Sequence, residues 1–342
     1  MSAAGQDLLT TVDRVCEAQC AKAVREAAEA GEWPAALWNA LDEVGLVRAA
    51  LPESAGGAGL DFADAMLALR RLAYHAAPVP LAETMVAGRL LLAAGLEVPE
   101  GPLTIAPARG RDSLKLEQQR LSGAAARIPW GGQCAFVLVA AEDRVGLVAA
   151  KEGRSEPEKN LAGEPRPTLR FDGARLEAVV PLKEARERLM REGALARGVQ
   201  MAGALERTLE LALAYANERV QFGRPIGKFQ AVQHMLAQLA AHVAASSAAA
   251  DAAVEASSTA ADAFAVAVAK ARISEAAGKA AEIAHQVHGA MGFTREHVLH
   301  YSTRRLWSWR DEFGSELHWQ ARLGREAAAA GGDGLWSLLT RL

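Results

Sequence analysis

Two long Ala/Leu-rich segments, Ala194 to Asn217 and Ala231 to Ala253, flank the stretch Arg219-Val220-Gln221-Phe222-Gly223-Arg224-Pro225-Ile226-Gly227-Lys228-Phe229-Gln230. Each flank has the composition and spacing of a long helix, with Leu205, Leu209, Ala212 and Leu213 on one face. Gly223 and Pro225 force a break between them. The pattern predicts one helix over 184–220 and a second over 228–257, with Phe229 and Gln230 in the second helix's first turn. The corner so formed carries cations, two carboxamides and two rings. A planar guanidinium fork matches paired phosphate oxygens, so Arg219 suits a pyrophosphate. A ring beside it can stack on or edge a nucleotide base. The same pattern also fits an ordinary capped helical hairpin.

The texture of the chain changes twice. Residues 1–100 read as helices over Leu8–Ala30, Trp33–Val44, Phe62–His75 and Leu81–Ala94, with Gly45 and Gly95 as stops. From about Gly101 short β-leaning runs follow: Leu103–Ala106, Ser113–Leu116, Arg120–Leu121, Cys134–Ala140, Arg144–Ala149, Thr168–Phe171 and Leu176–Val180. Gly123 and Asp172-Gly173 mark turns between them. Beyond Leu182 long helices return, over 184–220, 228–257, 260–290, 295–309 and 312–330. These shifts predict an α+β multidomain chain: helices over 1–100, a small antiparallel β domain over 101–181 with no parallel pairing, and a helical bundle over 182–342.

Bulk properties narrow the function classes. A chain of 342 residues can bury two or three cores. Its net charge of −3 offers no broad basic field for nucleic acid or an anionic membrane. No run of 18 uncharged apolar residues occurs, and Met1–Thr11 lacks a basic segment followed by an apolar one, so a cytoplasmic protein is expected. Cys16 and Cys20 stand four apart on a predicted helix and Cys134 is isolated, which reads as reduced thiols. His285/His288 and His297/His300 tempt a metal reading, but they straddle the Gly289–Gly292 turn without a patterned carboxylate, and no metal is expected. Trp307, Trp309 and Trp319 read as packing aromatics.

A second motif, His285-Gln286-Val287-His288-Gly289-Ala290-Met291-Gly292-Phe293-Thr294, ends another Ala-rich run. A third lies near the start: Trp38 to Leu46, then Leu51-Pro52-Glu53 and Gly56-Gly57-Ala58-Gly59-Leu60. With the corner at Arg219, these motifs in this order resemble the flavin-dependent acyl-CoA dehydrogenase family across nearly the whole chain. The resemblance implies two helical domains flanking a β domain, bound FAD, an acyl-CoA substrate and electron-transfer flavoprotein as acceptor. The implied reaction removes the proton α to a thioester and passes a hydride from the β carbon to the flavin, which needs a carboxylate base. Carried over by motif, Arg219 would meet the FAD pyrophosphate. Gln221 and Phe222 would lie near the pyrophosphate and adenine, and Ile226 and Phe229 on the adenine side, across a subunit interface. Gln286, Gly289 and Ala290 would continue the groove through backbone, where glycine permits close approach.

The chain departs from the family at the base. The segment Glu312-Phe313-Gly314-Ser315 matches the family's Tyr-Glu-Gly-Thr, so Phe313 stands at the base position and Ser315 where a hydroxyl meets flavin. Other members carry the base on the helix ahead of the Arg219 corner, where Gly193 falls, with Glu192 beside it. Three readings stand open: Glu312 is the base, Glu192 is the base, or the chain lacks one and works beside a catalytic partner. In the β domain, Leu103-Thr104-Ile105-Ala106-Pro107 echoes a flavin-facing strand. Arg127 and Pro129 replace the Trp and Thr of a second flavin-facing segment, with Trp130 between packing and ring cover. This pattern resembles short subunits of mixed α2β2 acyl-CoA dehydrogenases that act on bulky acyl-CoAs such as steroid side chains. A homodimer, a homotetramer or a hetero-tetramer with a related subunit is implied, catalytic itself or completing the FAD site of a catalytic partner.

Overall fold

The computed structural model describes residues 3–106, 113–259 and 262–340. Five helices open the chain: α1 (Ala3–Gln19), α2 (Lys22–Ala30), α3 (Ala35–Glu43), α4 (Phe62–Tyr74) and α5 (Leu81–Ala93). The run predicted as one helix over Leu8–Ala30 is two. Ala21 is extended (φ −66°, ψ 165°), and the break carries neither Gly nor Pro to betray it. Gly31 closes α2 in the left-handed region (φ 114°), its N–H bonded to the carbonyls of Ala27 and Ala28.

Eight strands follow: β1 (Leu103–Ala106), β2 (Ser113–Glu117), β3 (Arg120–Ala125), β4 (Phe136–Ala141), β5 (Arg144–Ala149), β6 (Arg154–Glu156), β7 (Thr168–Arg175) and β8 (Ala178–Pro181). They form two four-stranded sheets, ordered β1-β4-β5-β8 and β2-β3-β7-β6. Antiparallel ladders dominate, but β1 runs parallel to β4, with Leu103 opposite Phe136 and Ala106 opposite Val139. This corrects the expectation of purely antiparallel pairing. A parallel neighbour needs a long crossover, and the chain between β1 and β4 supplies one by building β2 and β3 into the other sheet. All four residues of β1 are buried, the near-continuous apolar run of a strand covered on both faces.

The later helices are α6 (Ala185–Glu218), α7 (Gln230–Glu255), α8 (Asp262–His288), α9 (Leu299–Trp309) and α10 (Glu316–Leu339), with a two-strand hairpin, β9 (Val220–Gln221) and β10 (Arg224–Pro225), between α6 and α7. Two compact units emerge. One holds Met1–Leu69 with Ala77–Ala196, and the other holds Arg70–Ala76 with Arg197–Leu342. No helix among the described residues is long and apolar enough to cross a membrane.

In the second unit α8 is the buried axis. Its covered positions are mostly alanines, among them Ala265, Ala267, Ala269, Ala276, Ala277, Ala280, Ala281 and Ala284. Small side chains let helices approach closely, and Gly203 on α6 takes this furthest. A Cβ there would lie 2.0 Å from the carbonyl oxygen of Arg70. Gly→Ala inside a helix normally stabilises by about 1 kcal/mol. Overpacking costs about 1–3 kcal/mol, and a backbone atom cannot rotate aside. Gly203→Ala should therefore lower the denaturant midpoint of unfolding, and a raised midpoint would show that the two segments are not in this contact.

Candidate functional site

The corner after α6 is a hairpin rather than the helix end predicted through residue 220. α6 stops at Glu218, and Gln221 pairs with Arg224 and Val220 with Pro225. Phe222 (φ 51°) and Gly223 (φ 80°) form the turn between them. Both central residues have positive φ, the signature of the type I′ turn that matches strand twist. The geometry carries Phe222 to the tip, 92% exposed. Arg219 and Gln221 are exposed beside it, while Ile226 and Phe229 are half-buried. The Phe229 ring meets Phe222 edge-on at 6.1 Å, and the Arg224 guanidinium carbon lies 4.3 Å from the Phe229 centroid. Phe229 is extended (φ −90°, ψ 132°) and caps α7, so only Gln230 belongs to the helix. The Ile226 N–H donates to the Arg219 carbonyl at 2.8 Å, which closes the base of the hairpin.

At the C-terminal end of α8, Gln286, Gly289 and Ala290 are exposed. Gly289 takes φ 59°, where a side chain is strained. Behind this segment the histidines build an aromatic stack. His285 stacks on Phe293 at 4.6 Å and on Trp307 at 5.6 Å; His288 stacks on Tyr215 at 4.6 Å and meets His297 at 4.6 Å. Gly292 fits against this stack, since a Cβ there would lie 2.9 Å from the Cβ of His288. No group of three or more His, Cys, Asp or Glu among the described residues could hold a metal ion. His288 donates from Nδ1 to the Ala284 carbonyl at 2.7 Å, and its buried Nε2 meets no hydrogen-bond partner among the described residues. Burial pushes its pKa down to about 4, and burial also lowers those of His285 and His297. The stack is therefore neutral near pH 7.

The loop from Trp309 to Ser315 holds Glu312, Phe313 and Ser315, the residues that the motif comparison singles out. Phe313 is 1% exposed and turns into the interior of its unit, with φ 52°. An aromatic in the left-handed region is strained by about 1–3 kcal/mol and persists only where its surroundings over-determine it. Here the Phe313 carbonyl accepts from Trp319 Nε1 at 3.1 Å. Glu312 points elsewhere. Its carboxylate accepts from Arg197 Nε at 2.7 Å, and Arg197, 2% exposed, also donates to Gln200 Oε1. Ser315 caps α10, accepting from the His318 N–H at 3.4 Å.

The first unit holds the other candidate. Glu192 lies near the start of α6, paired with Arg89 of α5 through Nε at 3.0 Å and Nη2 at 3.2 Å. In the β strands' connecting loops, Trp130 is 3% exposed and belongs to the core. Arg127 (φ 58°) and Trp130 (φ 57°) both sit in the left-handed region, and the Pro129 carbonyl accepts from the Thr104 hydroxyl. Pro107 lies outside the described residues. Cys16, Cys20 and Cys134 are buried free thiols.

Sequence reasoning missed Arg197 and Lys270. Both are long cations among small apolar neighbours on helices, which is the signal that could have marked them. Lys270 is 0% exposed and donates to the backbone carbonyls of the same loop.

Known proteins now place the chain. Residues 2–98 match the family model described as acyl-CoA dehydrogenase, N-terminal domain, and residues 183–310 match acyl-CoA dehydrogenase, C-terminal domain. Acyl-CoA dehydrogenase IpdE2 of Mycobacterium tuberculosis is 31% identical over 270 residues, 79% of each chain. Among solved structures, the ChsE4–ChsE5 complex from Mycobacterium tuberculosis superposes with a TM-score of 0.88 at 26% identity, over 96% of this chain and 98% of that one. A variant of the Tcur3481–Tcur3483 steroid acyl-CoA dehydrogenase gives 0.87 at 26% identity, over 95% and 98%. The chain belongs to the acyl-CoA dehydrogenase family.

The buried histidine gives a test of the stack. Between the ordinary histidine value of 6.5 and about 4, the unfolded chain holds a proton at His288 that the folded chain does not. This residue's contribution to stability is therefore complete above about pH 6.5 and is lost as pH falls towards 4, by on the order of 3 kcal/mol. His288→Phe, which keeps a ring on Tyr215, should unfold with a shallower loss of stability between pH 7 and 4 than the unsubstituted chain. Parallel curves would show that His288 titrates normally.

Proposed function

We propose that this chain is one subunit of an FAD-dependent acyl-CoA dehydrogenase that desaturates an acyl-CoA thioester at its α,β carbons, and that its own base position is vacated. The observation that carries the reading is the loop at Phe313. The residue matching the family's base is a buried ring, and the carboxylate beside it is already engaged by Arg197.

Bound FAD would supply a hydride acceptor. The residues present fit its adenosine and pyrophosphate end. Arg219, Gln221 and Phe222 project from a tight hairpin, Ile226 and Phe229 form its apolar base, and Gln286, Gly289 and Ala290 offer exposed backbone and an amide. In this reading Arg219 holds the pyrophosphate, and the hairpin reaches a groove shared with another subunit. Ser315 would turn its hydroxyl toward the flavin while its oxygen caps α10. Support for the ring end is weaker in the β sheets, where Trp130 is buried and Pro129 offers no hydroxyl. That asymmetry favours a hetero-tetramer with a related, base-bearing subunit over a self-sufficient homodimer. The solved complexes that resemble this chain include a ChsE4–ChsE5 assembly and a steroid acyl-CoA dehydrogenase, which supports a bulky acyl-CoA as substrate. Electron-transfer flavoprotein as acceptor and a cytoplasmic location complete the reading.

Proton abstraction by Glu312 would first have to break its contact with Arg197. Stranding a buried guanidinium costs about 3–5 kcal/mol. Arg89 is 28% exposed, so water can take over part of the carboxylate's place there, and Glu192 is the cheaper residue to recruit.

Two measurements test this. Arg219→Ala should weaken flavin retention by on the order of 1.5–3 kcal/mol, the range for hydrogen bonds to charged groups, read by absorption of the purified assembly after dilution. Unchanged retention would remove Arg219 from the pyrophosphate. In dye-linked oxidation of a panel of acyl-CoAs, the lone chain should be inactive and a base-bearing partner should be needed for turnover. Robust turnover by the lone chain, abolished by Glu312→Gln, would make Glu312 the base; abolition by Glu192→Gln would assign it to Glu192.

A further inference from the structure

Lys270 lies in the N-terminal third of α8, 0% exposed, in a helix whose other covered residues are chiefly alanine. Its ammonium donates to the carbonyl oxygens of Arg310 at 2.8 Å and Gly314 at 2.9 Å, and more distantly to the Trp309 carbonyl and Ser274 Oγ, both at 3.4 Å. Ser274 Oγ in turn reaches the Arg310 carbonyl at 3.4 Å. Three carbonyls of one loop thus converge on one side-chain nitrogen. They bracket Glu312 and Phe313, and the bracket coincides with the strained φ of 52° at Phe313 and the 95° at Gly314. A chain that turns this sharply needs its outward-splayed carbonyls satisfied inside the protein, where water cannot do so.

We propose that Lys270 is the positioning residue of the α9–α10 loop: by gathering the carbonyls of Trp309, Arg310 and Gly314 it holds Phe313 inward and Glu312 against Arg197. Its functional meaning rests on the reading of this loop as the vacated base position, but the positioning itself does not. The groups that face the ammonium are Arg310, Asp311 and Glu312 on the loop, Arg197 on α6 and, at longer range, His318 on α10. Burial pushes the lysine down to about 7, with Glu312 and Asp311 opposing that fall. The sign follows from linkage. If opening the loop returns the ammonium to water, opening takes up a proton between about pH 7 and the ordinary lysine range. Opening is therefore favoured as pH falls towards 7 and is level below it.

Hydrogen exchange read by mass spectrometry on the full chain tests this, following peptides that span 309–315. In the unsubstituted chain the opening constant, corrected for the intrinsic pH dependence of exchange, should rise by up to about tenfold per pH unit as pH falls from 9.5 to 7. Lys270→Met should speed exchange in these peptides by at least about tenfold, the loss of one such set of hydrogen bonds, and should abolish the slope, while α7 stays protected. Lys270→Arg, which keeps donors, should restore part of the protection. Wild-type protection of the loop in Lys270→Met overturns the proposal, as does a loss of protection that extends equally to α7. Flavin content measured on the same samples keeps the two readings separate. A chain that binds no flavin but loses loop protection in Lys270→Met retains Lys270's role, and a flavin-bound chain that keeps its protection in Lys270→Met does not.

Discussion

A buried cation must find oxygen, and three such demands shape the second unit. Arg197, Lys270 and Arg305 are each nearly inaccessible, at 2%, 0% and 1% exposure. The alanine-rich faces of α6 and α8 make this burial feasible. Alanine removes little apolar area per residue, so close helix approach, rather than large transfer free energy, gives these helices their fit. The space left between small side chains admits long aliphatic stems, and their heads then have to be satisfied. Arg197 does so with Glu312 and Gln200, Lys270 with backbone carbonyls, and Arg305 in part with the Tyr301 carbonyl at 3.1 Å. The loop after α9 is therefore held from two sides by cations rooted in two different helices.

The same economy explains how much of the molecule was readable from its residues. The strands Leu103–Ala106 and Arg144–Ala149 are found where β propensity and turn residues put them, because both signals are local. The parallel pairing of β1 with β4 is not local: it depends on where the intervening hairpin goes, and no residue in either strand records that. The Phe222-Gly223 turn was hidden for a different reason. Hairpin turns of this kind usually announce themselves with Asn-Gly or Asp-Gly; here a phenylalanine accepts positive φ, and the Gly/Pro pair reads equally well as a helix break. Ser315 as a cap and Gly31 as a helix stop are again local chemistry, legible in kind if not always in place.

The site divides along the same line. The break that sets Arg219, Gln221 and Phe222 at a corner between two helices was legible in Gly223 and Pro225. Which carboxylates are free was not. Glu312 meets Arg197 across 115 positions of sequence, and Glu192 meets Arg89 across 103. Counting along a motif identifies a carboxylate and its neighbourhood in the chain. Its availability as a base depends on a partner chosen by the fold.

That partner choice bears on why a ring occupies position 313. A carboxylate there would lie in a position only 1% accessible, beside Trp309 and within reach of the guanidinium that already serves Glu312. One buried arginine cannot fully neutralise two buried carboxylates, and an unpaired one is among the most costly things a protein interior can hold. Glu312 on Arg197 and a working base at 313 are thus competing solutions for the same cation. Once the first is built, an apolar ring is the residue that closes the loop without a second charge. A carboxylate placed at position 313 would then require a change in the arginine's partner as well.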